Sequence, residues 1–381
     1  LWNYDKIIGM KTFKYLYENL KPSVYLNSLA RPDDILFFDI ETTGLSRKKD
    51  NIFLIGTGYY SDNGLNIIQW FAENESEEIN VLEALLKFAD SFTCLLNYNG
   101  NSFDIPFTLE RMNKYGISMP PLNSIDIYTF VKPLKKILSL HDLTLKSVER
   151  FLNIKRDDEY SGGELISVYK SYTKKKSEKE LNLLLLHNKE DVLNLHYVTS
   201  IIEYNSLNDA KLQYDNCLIN EYYDYSNVRK KELLLSGLHN STTLPRSFNT
   251  FKSNEIGSFI MNYKTDSSLS IRVPILQKTL NYYFENYKDY YYLPNEKMCI
   301  LKSMAGGVKK ENRENATKEN CKISLNDSFI PMPLNAVIKD IRIFKDSYKS
   351  KQHYIRLEDF LHLDKDNRSL FLKLYYDFFF V

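Results

Sequence analysis

Four acidic residues in apolar or turn-forming surroundings carry the clearest chemical signal of this sequence. Asp39 and Glu41 lie in Phe-Phe-Asp-Ile-Glu-Thr-Thr-Gly-Leu, Asp104 in Asn-Gly-Asn-Ser-Phe-Asp-Ile-Pro-Phe, and Asp191 in His-Asn-Lys-Glu-Asp-Val. Carboxylates held close together repel one another, and they become stable around hard divalent cations such as Mg²⁺ or Mn²⁺. Two such ions side by side are a common apparatus for cleaving phosphodiesters. The four acids therefore indicate metal-dependent phosphodiester chemistry, provided that folding gathers them in one pocket.

The spacing of the acids is compatible with such a pocket, although each pattern has an ordinary structural explanation. Asp39 and Glu41 are two residues apart on a predicted strand and point to the same face, but Asp-x-Glu before a turn is common. Asp104 enters a predicted helix, where a carboxylate also stabilises the helix N-terminus. His187 and Asp191 share one helix face, and a buried histidine satisfied by a carboxylate is the alternative there. Glu190 faces away from both and is left out of the predicted site.

The elements that must position these residues alternate between strands and helices in the first half of the chain. Apolar, β-branched or aromatic runs predict strands, and amphipathic periodicity predicts helices. Asn63-Gly64 is a hairpin turn signal between the second and third strands. The predicted strands are 34–40, 51–60, 65–71, 93–98 and 124–131. The predicted helices are 75–92, 102–115, 140–152, 164–172 and 177–205, the last being one long helix or a close pair of helices. This order is the layout of a ribonuclease-H-like α/β domain with a mixed five-stranded sheet and flanking helices.

The motifs and their order, over roughly residues 33 to 200, resemble the DEDD exonuclease superfamily, which is named for four acidic residues. Further motifs are similar to its YprB-like group: Ile52-Phe53-Leu54-Ile55-Gly56, Trp70-Phe71, Leu143 to Glu149, Arg156 to Gly162, Tyr169, and His187-Asn188 with Asp191-Val192. Two departures stand out. Ile166-Ser167 replaces a usual proline, and His187 has the four-residue spacing to the last acid that usually accompanies tyrosine, which leaves its role as general base open.

The resemblance implies a two-metal site and its ligands. Asp39 would bridge two Mg²⁺ or Mn²⁺ ions, Glu41 and Asp191 would complete the shell of the first, and Asp104 would hold the second. His187 would take the proton of the attacking water, orient that water or contact the scissile phosphate. The residues expected to contact the terminal nucleotide are Thr42, Thr43, Gly44, Asn99 and Phe103. Asp126 is expected either to support the ligands or to be a solvated acid at a strand end.

The second half of the chain carries no catalytic motif. We expect residues 1–32 to be an N-terminal extension, 33–205 the exonuclease domain, and 206–381 an α+β accessory domain. The charge differs between the halves, with 24 Lys and Arg against 28 Asp and Glu in residues 1–205, and 26 against 21 in residues 206–381.

Six tyrosines and a phenylalanine lie within residues 282–292, either to stack on unpaired bases or to pack internally. Alternation in residues 336–344 and 354–363 predicts short strands and helices, and the apolar residues 370–381 a terminal strand or helix.

Bulk composition narrows the class of protein. The 381 residues, 43% of them hydrophobic, suffice for two or more domains, and a net charge of +1 excludes a strongly basic nucleic-acid coat. Four cysteines form neither a zinc-knuckle pattern nor a disulfide framework, and no signal peptide or long apolar run is present, which favours a cytoplasmic location without membrane contact.

The sequence thus predicts a metal-dependent 3′–5′ exonuclease acting on single-stranded ends of DNA or RNA. A catalytically weak nucleic-acid-binding module with the same fold and a structure-specific endonuclease are the alternatives.

Overall fold

The computed structural model describes residues 3–7, 9–240, 244–333 and 341–380, and the side chains of all these except residues 3–7. The chain divides into two compact units, Leu1–Ser206 and Leu207–Val381. Among the described residues, no helix combines the length and apolarity needed to cross a bilayer.

The first unit is a mixed sheet with flanking helices. Its strands are β1 (Asn3–Ile7), β2 (Met10–Glu18), β3 (Ile35–Thr42), β4 (Ile52–Ser61), β5 (Gly64–Phe71), β6 (Cys94–Asn97) and β7 (Asn123–Asp126). Its helices are α1 (Val24–Asn27), α2 (Glu78–Ala89), α3 (Asp104–Lys114), α4 (Ile127–Val131), α5 (Leu145–Leu152), α6 (Gly162–Lys175) and α7 (Glu178–Val198). The strand order is β1-β2-β5-β4-β3-β6-β7, with β3, β6 and β7 parallel and the remaining pairs antiparallel.

The predicted α/β fold class is confirmed, and the sheet is larger than the five strands expected. The added strands come from residues assigned to an N-terminal extension. β2 pairs with β5 from Lys11 opposite Phe71 to Glu18 opposite Gly64. Met10 and Phe13 on β2 are buried in the core cluster of the unit, so the hairpin β1–β2 is part of the sheet.

Strand β7 is shorter than predicted, because its last residue begins a helix. The sequence predicts a strand over 124–131, but β7 ends at Asp126 and residues Ile127–Val131 are helical. The Asp126 carboxylate accepts a hydrogen bond from the backbone N–H of Tyr128 and so caps α4. The segment 177–205, predicted as one long helix or a close pair, contains the single α-helix α7, which ends at Val198 and is followed by a 3-10 segment from Thr199 to Asp209.

The central strand β3 is the main support of the first unit. Ile35, Leu36, Phe37 and Phe38 are each at most 2% exposed, as expected of a strand covered on both faces. The apolar side of α7 packs its leucines, such as Leu184 and Leu185, into the same core. This packing places the polar residues of α7 beside the end of β3.

The second unit consists mainly of antiparallel sheet. Its strands are β8 (Leu212–Tyr223), β9 (Arg229–His239), β10 (Phe248–Asn254), β11 (Gly257–Tyr263), β12 (Ser268–Tyr283), β13 (Tyr290–Leu293), β14 (Met298–Leu301), β15 (Glu314–Asn315), β16 (Lys322–Pro331), β17 (Phe344–Lys345) and β18 (Tyr354–Arg356). Two helices, α8 (Leu357–Leu361) and α9 (Lys365–Phe380), follow. β12 lies inside an eight-stranded sheet, and β14-β13-β15 form a smaller one.

Three segments near the end of this unit are predicted to form strands or helices, and the structure describes all or part of each. The apolar terminal segment is the helix α9, with Tyr375 and Tyr376 fully buried. In the predicted alternating segment 336–344, residues 336–340 lie outside the described residues, and Phe344 begins β17. Tyr354 begins β18, and α8 follows directly.

Candidate metal centre

Three of the four predicted acids meet where β3 ends. Asp39 and Glu41 lie on β3, and Asp104 is the first residue of α3. The backbone N–H of Ile40, between the two β3 acids, donates a hydrogen bond to Asp104 Oδ1 at 3.2 Å. This bond ties the start of α3 to β3 and places the Asp104 carboxylate beside the strand.

Helix α7 brings the remaining predicted residues to the same place. Glu41, His187 and Asp191 each offer a ligand atom, and these atoms all lie within 4.8 Å of one another. His187 Nε2 is 3.6 Å from Glu41 Oε1 and 3.4 Å from Asp191 Oδ2. The five residues predicted to be catalytic are therefore collected in one site.

Three acids of this site, Asp39, Glu41 and Asp104, have raised pKa values and hold their protons more strongly than usual. Burial, together with repulsion from Asp191 and Asp104, raises the pKa of Glu41 to about 8, against the opposing pull of His187. Burial and the Asp191 charge raise the pKa of Asp104 to about 7, although the Ile40 N–H opposes the rise. The pKa of Asp39 lies well above its usual range for the same reasons. Carboxylates in this condition are stabilised by protons or by a bound cation.

Asn188 fixes the position of the Asp39 carboxylate. Its Nδ2 donates to Asp39 Oδ2 at 2.7 Å, and its Oδ1 accepts a hydrogen bond from Gln69 Nε2 at 2.7 Å. Gly56 lies opposite Asp39 on the neighbouring strand β4. A Cβ at position 56 would lie only 2.2 Å from Asn188 Oδ1, so only glycine leaves room for this amide.

His187 is oriented by Asp158, in the loop before α6. His187 Nδ1 lies 2.7 Å from Asp158 Oδ2. The same oxygen accepts hydrogen bonds from Lys146 Nζ at 2.9 Å and Arg156 Nη2 at 3.0 Å. The pKa of Asp158 is held well below its usual range, since the bonds from His187 and Lys146 outweigh burial. An ionised Asp158 only accepts, so the Nδ1 proton points to it and Nε2 faces Glu41 and Asp191.

Arg156 connects this loop to the acids. Its guanidinium contacts Glu149 Oε1 at 3.0 Å, Asp158 Oδ2 at 3.0 Å and Asp191 Oδ1 at 2.5 Å. The guanidinium side chain is only 7% exposed. Because Arg156 binds Oδ1 of Asp191, the other carboxylate oxygen, Oδ2, is the one that faces His187.

Sequence reasoning assigned no role to Arg156, Asp158, Lys146 or Asn188, and it set Glu190 aside. Glu190 does turn away from the ligand atoms, but its carboxylate accepts from the backbone N–H groups of Asp157 at 3.1 Å and Asp158 at 2.9 Å. It thus holds the loop that orients His187. The charged run Arg156-Asp157-Asp158 is recognisable in the sequence. Its partners His187, Glu190 and Asp191 lie about 30 residues further along the chain, so the run alone does not indicate its role.

The residues predicted to contact a nucleotide occupy the turns around the acids. Thr42 Oγ1 donates to the Gly44 carbonyl at 2.7 Å, and Thr43 Oγ1 accepts from the Asn51 N–H at 2.9 Å. A Cβ at Gly44 would lie 2.5 Å from Asp50 Oδ2, so the packing of Asp50 already accounts for this glycine. The nucleotide contacts of these residues stay predictions.

Asn99 and Phe103 belong to the loop that leads into α3, and Asp126, at the end of β7, is hydrogen-bonded to that loop. Asn99 has a positive φ of 60°, and Phe103 is half-buried with its ring 5.3 Å from that of Phe107. Asp126 is buried, in contrast to a solvated acid. It accepts from the backbone N–H groups of Asn99 at 2.7 Å and Asn101 at 3.3 Å. Asp126 therefore supports the loop from which Asp104 emerges.

Comparison with known proteins agrees with the fold of the first unit. Residues 36–202 match the family model described as RNase_H superfamily. A DNA polymerase of Pyrococcus glycovorans is 32% identical over 97 residues, which is 23% of this chain and 12% of the polymerase. The chain thus spans about an eighth of the length of that curated relative.

Solved structures resemble the chain over about half its length. The family B DNA polymerase of Pyrobaculum calidifontis has a TM-score of 0.35 at 18% identity, covering 46% of this chain and 24% of the polymerase. Brucella melitensis NrnC bound to pGG has a TM-score of 0.30 at 17% identity, covering 46% and 74%. The zinc-bound E. coli ExoI–ssDNA complex has a TM-score of 0.27 at 13% identity, covering 54% of each chain.

Proposed function

We propose that residues 33–205 form a metal-dependent 3′–5′ exonuclease domain of the YprB-like group, acting on single-stranded ends of DNA or RNA. One observation carries the proposal: Asp39, Glu41, Asp104 and Asp191 interact electrostatically within a single site beside His187. The match of residues 36–202 to the RNase_H superfamily model supports a nuclease of this general kind.

The donor set fits divalent cations. Hard carboxylate oxygens with raised pKa values and a neighbouring imidazole favour Mg²⁺ or Mn²⁺. Asp39 would help to hold both ions of a pair, Glu41 and Asp191 would help to hold the first, and Asp104 the second. When bound, such ions lower the pKa of coordinated water and stabilise the departing 3′ oxygen.

The chain's own residues orient the reacting groups. Asn188 holds the Asp39 carboxylate, and Arg156 holds one oxygen of Asp191. Asp158 accepts a hydrogen bond from the Nδ1–H of His187, which leaves Nε2 to accept a proton from the attacking water. The Asp126-supported loop at Asn99 and the Phe103 ring are where we place the terminal nucleotide, together with Thr42, Thr43 and Gly44.

The test uses the full chain and matched oligonucleotides. Single- and double-stranded DNA and RNA of one sequence, labelled at the 5′ end, are incubated with Mg²⁺, Mn²⁺ or EDTA. The proposal predicts a metal-dependent ladder that shortens from the 3′ end. Asp39→Asn abolishes it, whereas Asp62→Asn, an exposed aspartate in the β4–β5 turn, leaves it unchanged.

The same assay separates the alternatives. Internal fragments without a ladder identify an endonuclease, and binding without degradation identifies a module that has lost turnover. An Asp39→Asn protein with near-normal activity refutes the assignment of the site. The presence of all four acids favours the enzyme over the binding module.

A further inference from the structure

Several half-exposed tyrosines of the second unit have a cationic side chain close to their rings. Lys302 Nζ lies 5.2 Å from the centre of the Tyr291 ring, and the Arg313 guanidinium lies 4.6 Å from it. Lys318 Nζ is 6.0 Å from the Tyr287 ring, and Lys322 Nζ is 5.9 Å from the Tyr283 ring. We call these three tyrosines and their four cations the tyrosine–cation surface.

Strand pairing brings the surface together from separate segments. Tyr291 on β13 pairs with Asn315 on β15, and Tyr283 at the end of β12 pairs with Lys322 at the start of β16. A turn in which the Cys321 N–H donates to the Thr317 carbonyl at 3.0 Å joins β15 to β16. The arrangement is therefore set by backbone hydrogen bonds, and the three rings remain half-exposed.

The cation–π contacts of this surface all fall within residues 283–322. Lys302 and Lys318 are exposed. Among the described residues, neither they nor Lys322 form an ion pair with a carboxylate, so their charge is available to a partner.

The combination fits a partner with flat rings and negative charge. Aromatic side chains beside a cationic groove bind unpaired bases by stacking, while the cations meet the phosphates that link them. Residues 206–381 as a whole have 26 Lys and Arg against 21 Asp and Glu, so this part of the chain also carries a net positive charge. Buried tyrosines such as Tyr375 and Tyr376, which lack this exposure, form the core of the unit instead.

We propose that the tyrosine–cation surface binds single-stranded nucleic acid, with bases stacked on Tyr287 and Tyr291 and phosphates paired with Lys302 and Lys318. This site consists only of residues of the second unit. The proposal does not rest on catalysis in the first unit, and it holds for an inactive protein as well.

Binding is measured by fluorescence anisotropy with the full chain in EDTA, which prevents metal-dependent degradation. The probes are fluorescein-labelled dT20 and U20, and a duplex of mixed sequence. Tyr291→Ala and Tyr287→Ala each weaken single-strand binding roughly 5- to 100-fold, because stacking on one ring is removed. Tyr291→Phe retains the stacking and stays within about threefold of the wild type. Tyr225→Ala, a fully exposed tyrosine in the β8–β9 turn, is the matched control and leaves affinity unchanged.

A second pair of variants covers the case in which Tyr291→Ala does not fold. Lys302→Gln and Lys318→Gln change only exposed side chains, and each lowers the slope of log affinity against log salt by roughly 0.7. Wild-type affinity and salt slope in both lysine variants overturn the proposal.

Equal affinity for duplex and single strand also overturns it, because paired bases are not free to stack. Whether dT20 or U20 binds more tightly tells which nucleic acid is preferred. A protein that binds through this surface but degrades nothing refutes the exonuclease proposal alone.

Discussion

Replacing Gly56 by alanine tests how the Asp39 carboxylate is held. The added Cβ would lie 2.2 Å from Asn188 Oδ1, inside a buried part of the first unit. Asn188 must then move, and it loses its bonds to Asp39 Oδ2 and to Gln69 Nε2, both at 2.7 Å. We therefore expect the substitution to disturb stability and activity together, although residue 56 offers no functional group.

The size of the effect follows from two contributions. Overpacking a well-packed interior costs about 1–3 kcal/mol, and loss of a hydrogen bond to a carboxylate costs about 1.5–3 kcal/mol. Gly56→Ala should therefore lower the free energy of unfolding by about 3–5 kcal/mol. Asn188→Ala removes the crowded amide together with its hydrogen bonds to Asp39 Oδ2 and Gln69 Nε2. In the double variant the new methyl group has space, so the two losses do not add, and the coupling free energy is about 1–3 kcal/mol.

Urea unfolding of the wild type, both single variants and the double variant gives the coupling free energy. The metal-dependent ladder assay on the same four proteins reports the position of Asp39, and we expect activity to stay low in the double variant, which lacks the amide. Gly162→Ala is the control, since a Cβ there meets nothing within 4 Å. Strictly additive losses, or a Gly56→Ala protein with normal stability and activity, would refute this account of the site.

Three further predictions concern charge. Arg156→Met lowers the affinity for Mn²⁺ by roughly 10- to 100-fold in isothermal titration calorimetry, because the Asp191 carboxylate is no longer oriented, whereas Lys155→Met, at an exposed neighbouring residue, does not. The raised pKa values of Glu41, about 8, and Asp104, about 7, mean that the folded protein binds protons more tightly than the unfolded chain. Without metal, their contribution to stability therefore falls as the pH rises from about 4.5 to 8, and Mn²⁺ raises the Tm more at pH 8 than at pH 6; equal Tm shifts would contradict this. Burial lowers the pKa of His196 to about 4, so its neutral form contributes stability that is present above about pH 6.5 and is lost as the pH falls toward 4, by about 3 kcal/mol. Acid unfolding followed by circular dichroism should be less steep for His196→Gln than for the wild type.

The acids of the candidate site were within reach of sequence reasoning because local periodicity places them. Asp39 and Glu41 share a strand face through the two-residue repeat, and His187 and Asp191 share a helix face through the four-residue spacing. The apolar run of β3 and the leucines of α7 identify the two elements that must pack together. These patterns depend on neighbouring residues only, and the structure preserves them.

The elements and residues that sequence reasoning missed depend on contacts between distant segments. β2 joins the sheet through its pairing with β5, and no turn signal links these two strands. Residues 127–131 have strand-like composition, but the cap supplied by Asp126 makes them helical. His187 meets Asp158 across 29 residues, and Asn188 meets Asp39 across 149, at positions that no periodicity connects. Tertiary packing decides such pairs.

The distribution of positive charge explains why neighbouring acids of the site differ in pKa. Asp158 receives donors from Lys146, Arg156 and His187, and its pKa is held low. Glu41 lies on the other side of the His187 ring, with its Oε1 3.6 Å from His187 Nε2, and its pKa is raised to about 8. The difference arises because the guanidinium and the ammonium are committed to the loop that orients His187, and Arg156 reaches just one oxygen of Asp191. At neutral pH Glu41 and Asp104, with pKa values raised to about 8 and about 7, therefore keep a negative charge or protons in its place. A divalent cation bound there displaces those protons and removes the repulsion, so metal binding should be accompanied by measurable proton release. Titration calorimetry in buffers of different ionisation enthalpy measures this release, and binding without it would show that the cation sits elsewhere.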